Sequence, residues 1–297
     1  MDKIGFVGFG EAAFHIAKGL RQAGLRQVTA FDIHTRTPGL SEKICARARE
    51  TETELVDSNA ALASACDVIF SAVAADQALA AARQTAPFLS ARHFYIDLNS
   101  VSPQTKQAIA RVASHARFVE AAMMAPVPPH LHKVPMLVGG EATPALLELL
   151  APFGMRMEII STDQIGRAAA VKMFRSVVYK GMEALLFECV LGASVYGAED
   201  RVFASLNESF PGLNFEKLAG YMIGRAAIHA ERRAREMEEA AQTLRESGVE
   251  PMMTEATVRR MDWAAGLDLR SRLGGEFPAT YKQVLDLIAV HYPAASQ

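Results

Sequence analysis

The sequence predicts two domains: an α/β domain on a mostly parallel, doubly wound sheet over residues 1–163, and an all-helical domain over residues 164–297. Three features carry that expectation. Short β-rich runs alternate with helical runs as far as Ile160, the pattern of a parallel sheet wrapped in helices. After Ile160 the strand signals stop. From Gln164 to Tyr196 helix formers then continue without a proline, long enough at about 1.5 Å per residue to span roughly 50 Å and to link the two halves.

In order, Ile4 to Val7 is a short β-rich run closed by Gly8-Phe9-Gly10, and Ala12 to Leu20 has helical composition with Gly24 after it. Val28 to Phe31, followed by Asp32, completes a β-α-β unit of about 30 residues. Asp67 to Val73 reads as a buried strand, Gln77 to Pro87 as a helix and His93 to Leu98 as a strand. Phe118 to Glu120, Pro135 to Val138 and Arg156 to Ile160 supply further short strands, with a helical stretch from Pro144 to Leu150 between the last two. Gly197 stops the long helix, and later helical runs cover about Asp200 to Asn207, Phe215 to Glu246, Thr254 to Ala265 and Pro278 to His291. Arg232 and Glu236 lie four apart, as do His229 and Arg233, a spacing for surface ion pairs worth a few tenths of a kcal/mol each. A contribution of Arg232 or His229 to an active site is the alternative.

Half of the 297 residues are apolar, enough for a substantial core. A net charge of −2 gives no basic field for nucleic acid, so small molecules or other copies of the chain are the expected partners. Cys45, Cys66 and Cys189 are scattered, without Cys-x-x-Cys spacing, which suits a reducing cytosol. The opening Lys3-Ile4-Gly5-Phe6-Val7-Gly8 is too brief and glycine-rich for a signal sequence, and no apolar run reaches the roughly 18 residues of a membrane helix. A cytoplasmic location without a membrane partner is expected. His130 and His132 lack a third ligand nearby, so no metal is expected.

Gly8, Gly10 and Ala13 form Gly-x-Gly-x-x-Ala between a strand and a helix. Gly8 permits the tight turn, Gly10 the approach of backbone to a pyrophosphate, and Ala13 close packing of helix on strand. Asp32 ends the next strand 22 residues after Gly10, where a carboxylate accepts the ribose hydroxyls of NAD and repels a 2′-phosphate. Dinucleotide binding is the reading, with Gly8, Phe9, Gly10, Glu11, Ala12, Asp32, Val73 and Ala74 as the expected cofactor residues. NAD is favoured by Asp32, while His34 and Arg36 lie close enough to meet the phosphate of NADP instead.

Downstream, Asp97-Leu-Asn-Ser-Val-Ser-Pro103 follows a strand and precedes the helical run Gln104 to Ala113. Asn99 and Ser100 can direct donors at a carboxylate; an ordinary strand-to-helix cap is the other reading. Val171 to Ser176 places one lysine, Lys172, in an otherwise apolar helical run. Apolar surroundings disfavour an ammonium ion and suit a lysine to proton transfer near neutrality, whereas a lysine snorkelling from a packed helix is the bland alternative.

The glycine loop, the Asp-Leu-Asn-Ser-Val-Ser-Pro turn and a lysine opening a long interdomain helix, in this order and at these distances, resemble the β-hydroxyacid dehydrogenases, in a 6-phosphogluconate-dehydrogenase-like branch. The resemblance covers essentially the whole chain. It implies a Rossmann domain, an all-helical second domain, oligomerisation through the helices, and NAD(P)-dependent oxidation of a hydroxyl β to a carboxylate; the apolar content of the helical domain makes a homodimer the expected assembly. It also implies that Ser100 holds the substrate carboxylate. Gly166 matches the glycine six before the family's catalytic lysine, which makes Lys172 the general acid and base.

The departures concern the substrate. Ser176 stands where relatives usually carry an asparagine, and Arg175 and Tyr179 replace a histidine and a glutamate of the phosphogluconate enzymes. By helical geometry Lys172, Ser176, Tyr179 and Glu183 share a face that could present a proton carrier, two hydroxyls and an acid to one pocket. Arg175 and Lys180 are placed to bind a phosphate or second carboxylate, or else to pair with Glu183 or Glu188. Met124-Ala125-Pro126 replaces a Ser-Gly-Gly turn. Asn99, Ser100, Met124, Arg175, Ser176 and Tyr179 are therefore the expected substrate residues of a small β-hydroxy acid or sugar acid. Imine reduction, a coupled oxidation and isomerisation, and a dinucleotide sensor without turnover are the rival functions.

Overall fold

Apolar residues along the first strands point alternately to either face of a pleated chain, so a strand buried on both sides needs helices above and below. The computed structural model, which describes residues 3–289, builds this arrangement on an eight-stranded sheet. Its strands are β1 (Lys3–Val7), β2 (Gln27–Phe31), β3 (Thr53–Leu55), β4 (Val68–Ser71), β5 (Phe94–Asp97), β6 (Arg117–Met123), β7 (Met136–Gly139) and β8 (Met157–Ser161). The spatial order is β3-β2-β1-β4-β5-β6-β7-β8, parallel except where β7 runs antiparallel to β6. Ile4, Phe6, Val28 and Phe70 pack on one side against α1 (Glu11–Gln22), α2 (Ser41–Glu50) and α6 (Thr143–Leu150). Ile69 and Tyr95 pack on the other against α3 (Asn59–Ala65), α4 (Ala78–Thr85) and α5 (Pro103–Val112).

The predicted α/β class and doubly wound sheet are present. Three elements of this part escape the sequence pattern. β3 is a three-residue edge strand with one apolar side chain, α2 buries only Ile44 and Ala48 among ten mostly polar residues, and α3 spans seven residues. None is long or periodic enough to stand out.

The chain divides into two compact units, Met1–Lys172 and Met173–Gln297, and the division falls within α7 (Arg167–Val195). The second unit continues through α8 (Glu199–Ser209), α9 (Phe215–Glu246), α10 (Met252–Gly266), the short α11 (Leu269–Arg272) and α12 (Tyr281–Ile288). Its core joins Phe187 of α7, Phe203 of α8, Ile223 and Ala226 of α9, Met261 of α10 and Val284 of α12. The Asn214 side chain caps α9 by accepting from Lys217 N at 2.9 Å, and the helix breaks at His229, where φ is −126° and ψ 21°. The last predicted run reaches past Ile288 to residues that lie outside those described. No helix among the described residues is long and apolar enough to cross a membrane.

One expectation for α9 is overturned. Arg232 does pair with Glu236, at 3.7 Å, but Arg233 is no surface partner of His229: it is buried against Glu183 of α7 at 2.8 Å. A single turn separates a solvated face from an interior one, and spacing alone does not say which is which.

Candidate active site

β1 and β4 are neighbours, yet the chain leaves them towards opposite ends of the sheet, so the loops after them diverge and open a crevice at the strands' C-terminal edge. Gly8 starts the first loop with φ +82°; a Cβ there would stand 2.5 Å from Ala72 O and 2.7 Å from Val73 Cγ1. Gly10 is the N-cap of α1 and offers no side chain to its free N–H groups, and a Cβ on it would meet nothing within 4 Å. Open space therefore lies over a helix N-terminus, with Glu11 exposed and Ala12 half-buried on its first turn. These residues fit a dinucleotide's pyrophosphate. Gly8→Ala would combine a left-handed backbone with a backbone clash, and we expect it to weaken NAD(H) or NADP(H) binding about tenfold or more in a fluorescence titration. Unchanged affinity would mean that the crevice is not the binding site.

Phe9 serves differently from expectation. Its ring is buried against Phe6, and its N–H donates to Asp32 Oδ2 at 2.7 Å instead of facing a phosphate. Asp32 Oδ1 accepts from His34 N at 2.9 Å. The carboxylate thus pins the glycine loop to the turn after β2, and each oxygen keeps a lone pair for a ribose hydroxyl. Ala74 is exposed at the rim of the second loop, while Val73 N donates to Asn99 Oδ1 at 2.8 Å.

That bond corrects the reading of Asn99 as a donor to substrate. Its amide nitrogen donates inward, to Ser71 Oγ at 3.1 Å and to Asp97 Oδ1, and the side chain is buried. Asp97 in turn accepts from Lys106 Nζ of α5 at 2.6 Å, and Lys106 also donates to Asp97 O at 2.7 Å. Both members of the ion pair are buried, each charge balanced and hydrogen-bonded. Sequence reasoning missed Lys106: a lysine in the first turns of a helix after Ser-Pro ordinarily points to solvent.

Ser100 remains at the turn with its hydroxyl available, and it meets Lys172. Lys172 Nζ donates to Ser100 Oγ across 72 residues of chain. The start of α7 is fixed by a second residue not foreseen, Glu120 in the middle of β6. Glu120 Oε1 accepts from Gly166 N at 2.7 Å and Ala168 N at 3.3 Å, and Oε2 from Ala169 N at 3.3 Å. A buried carboxylate on the unpaired N–H groups of a helix start satisfies them and opposes the helix dipole. Gly166 has φ +107° and lies against Pro103, where a Cβ would approach Pro103 Cβ to 3.0 Å. A glycine six residues before Lys172 is therefore what lets the helix begin here and carry the lysine to Ser100.

This geometry coincides with relatedness over the whole chain. Residues 3–100 match the family described as NADP oxidoreductase, coenzyme F420-dependent, and residues 193–264 match a domain of unknown function, DUF1932. A conserved hypothetical protein from Sinorhizobium meliloti is 37% identical, over 98% of this chain and 96% of that one, with a TM-score of 0.76. A conserved protein of unknown function, described as structurally similar to 3-hydroxyacid dehydrogenases, is 30% identical over 92% of this chain and 99% of that one, with a TM-score of 0.71. The chain belongs to the β-hydroxyacid dehydrogenase family. The Mycobacterium tuberculosis 3-hydroxyisobutyrate dehydrogenase shares its fold at a TM-score of 0.68 and 15% identity, over 89% of this chain and 94% of that one.

Within this β-hydroxyacid dehydrogenase chain the remaining expected substrate residues are more dispersed. Met124 is half-buried and its N–H is taken by Pro135 O at 2.8 Å. Arg175 is exposed, its guanidinium 5.0 Å from the Tyr179 ring centre. Ser176 is buried and accepts from Lys180 Nζ at 3.4 Å. Glu183 does not share an open face with Lys172: it is fully buried and held by Arg233. Lys180 pairs with Glu236 at 2.8 Å and Glu188 with Arg260 at 2.6 Å, so neither expected pairing of Lys180 forms. His132 packs inside against Gly19 with Nε2 on Phe153 O at 2.9 Å, and burial pulls its pKa down.

Proposed function

We propose that this chain catalyses hydride exchange between a nicotinamide dinucleotide and a small β-hydroxy acid or sugar acid, with Lys172 as general acid and base. The observation that carries the reading is the Lys172–Ser100 hydrogen bond. The glycine loop and Asp32 would hold the dinucleotide, which when bound would supply hydride exchange with the carbinol carbon. Lys172, once neutral, takes the hydroxyl proton as the carbonyl forms, and as ammonium it returns it in the reverse direction. Ser100 Oγ lies within a hydrogen bond of the same nitrogen, so a carboxylate held by Ser100 sets the β-hydroxyl beside Lys172 and replaces a bimolecular encounter by a fixed one.

NAD is the proposed cofactor on the strength of Asp32, which would repel a 2′-phosphate. A second reading, NADP, has its own support: both Asp32 oxygens already accept backbone hydrogens, and Arg36, four residues on, is exposed and pairs with Asp57 at 3.3 Å. Phe174, Val178 and Leu185, exposed at helical spacing on α7, support the homodimer expected through the helical unit. The test is turnover. Purified protein is given NAD or NADP with a panel of β-hydroxy acids, sugar acids and imines, and reduced nicotinamide is followed. We expect turnover of a hydroxy acid with one cofactor preferred; dinucleotide binding without turnover across the panel would replace the enzyme by a sensor.

A further inference from the structure

We propose that α7 and α9 of the helical unit form a site for a small oxyanion, carboxylate or phosphate, seated on Arg225 and the Tyr221 hydroxyl with Arg233 behind them. The inference rests on observations within the helical unit and does not depend on the hydride chemistry proposed above.

Charge is the first argument. Among the described residues, Lys180, Arg225, Arg232 and Arg233 form ion pairs with two carboxylates, Glu183 and Glu236. Glu183 lies 2.8 Å from Arg233 Nη1 and 3.6 Å from Arg225 Nε, yet it is a partial counterweight to both. Burial pushes its pKa up to about 7 against the pull of Arg233, Arg225 and Lys180, with Glu236 adding to the rise. His229, at the break in α9, reports the same field. It is pushed down to about 4 by burial first, then by Arg232, Arg233, Arg225 and Arg270.

Hydrogen bonding is the second. Arg233 is 2% exposed, and its Nε and Nη2 have no hydrogen-bond partner; nor have Arg225 Nε and both oxygens of Glu183, whose ion-pair distances are not matched by aligned hydrogens. Five unsatisfied polar atoms in one place are costly, and guanidinium forks are built to hold planar or tetrahedral oxyanions.

Access is the third. Tyr221 is 44% exposed and the Arg225 side chain 19%. Tyr221 OH accepts from Arg225 Nη1 at 3.2 Å and from Tyr179 OH at 3.3 Å. Burial and this bond push Tyr179 up to about 12, so it keeps its proton as donor. With both lone pairs of Tyr221 occupied, its own hydrogen is left to donate outward. An exposed hydroxyl donor beside a half-satisfied guanidinium is the mouth of an anion site.

Inorganic phosphate and malonate are titrated separately into the full-length protein by calorimetry, without dinucleotide or turnover. We expect saturable binding of at least one; phosphate alone would identify a phosphate-bearing ligand and malonate alone a carboxylate. Arg225→Ala should weaken it about tenfold or more, the worth of a charge-assisted hydrogen bond. Tyr221→Phe, on a partly exposed side chain where loss of folding is not at issue, should weaken it severalfold. Arg235→Ala, on α9 but paired with Glu238 and Asp262 elsewhere, should leave it unchanged. Absence of saturable binding by either anion, or an equal loss from Arg235→Ala and Tyr221→Phe, would overturn the site.

Discussion

Lys172→Ala lowers kcat by about 10²- to 10⁴-fold, the usual worth of a positioned proton carrier, and leaves dinucleotide affinity unchanged. Its nitrogen donates to Ser100 Oγ, whereas the open space that fits the pyrophosphate lies over the start of α1 at Gly10. Small primary amines added to the variant should restore part of the rate, because they replace the missing base without rebuilding a packed side chain. A Lys172→Arg variant should remain slow, since a guanidinium stays protonated and cannot take the hydroxyl proton. The measurement is steady-state kinetics on the substrate found by the panel, with cofactor affinity read separately. A loss smaller than about tenfold would remove Lys172 from the proton path.

Lys106→Met destabilises the first unit by about 3–5 kcal/mol, the cost of leaving one member of a buried ion pair uncompensated. Asp97 is then left fully buried with Asn99 as its remaining side-chain donor. The double variant Lys106→Met, Asp97→Asn should recover most of the loss, because a neutral amide removes the stranded charge. Urea unfolding of the three proteins measures both steps. A single-variant loss below about 1 kcal/mol would mean that the carboxylate escapes burial or takes a proton at little cost.

The parts of the fold legible in sequence are those with local, periodic signatures. β1, the glycine turn and α1 follow from a short apolar run, two glycines and a helical stretch; α9 was delimited by composition from Phe215 to Glu246, as found. Ser100 and Lys172 were legible as ordered motifs, and the structure brings them together. Glu120 and Lys106 were not, because a charge becomes interior only when strand pairing closes over it. Glu120 is aligned beside Gly139 in the β6–β7 pair, where a Cβ on the glycine would stand 2.8 Å from Oε1, and its helix partners come 46 residues later. Arg233 and Glu183 illustrate the same limit in the helical unit. Four residues on a helix tell which groups are neighbours, and only packing tells which of them lose water.

Asn99 has a consequence for how ligands are felt. Its side chain ties the backbone of Val73, on the loop bordering the dinucleotide crevice, to the turn that carries Ser100. The loop after β4 and the turn after β5 are therefore one mechanical part. On the proposed function, a dinucleotide that shifted Val73 would also shift Ser100, and by thermodynamic reciprocity the acid would change dinucleotide affinity by the same factor. If the proposed function holds, a substitution at position 99 should change dinucleotide and acid affinity together, without removing a group expected to touch either ligand.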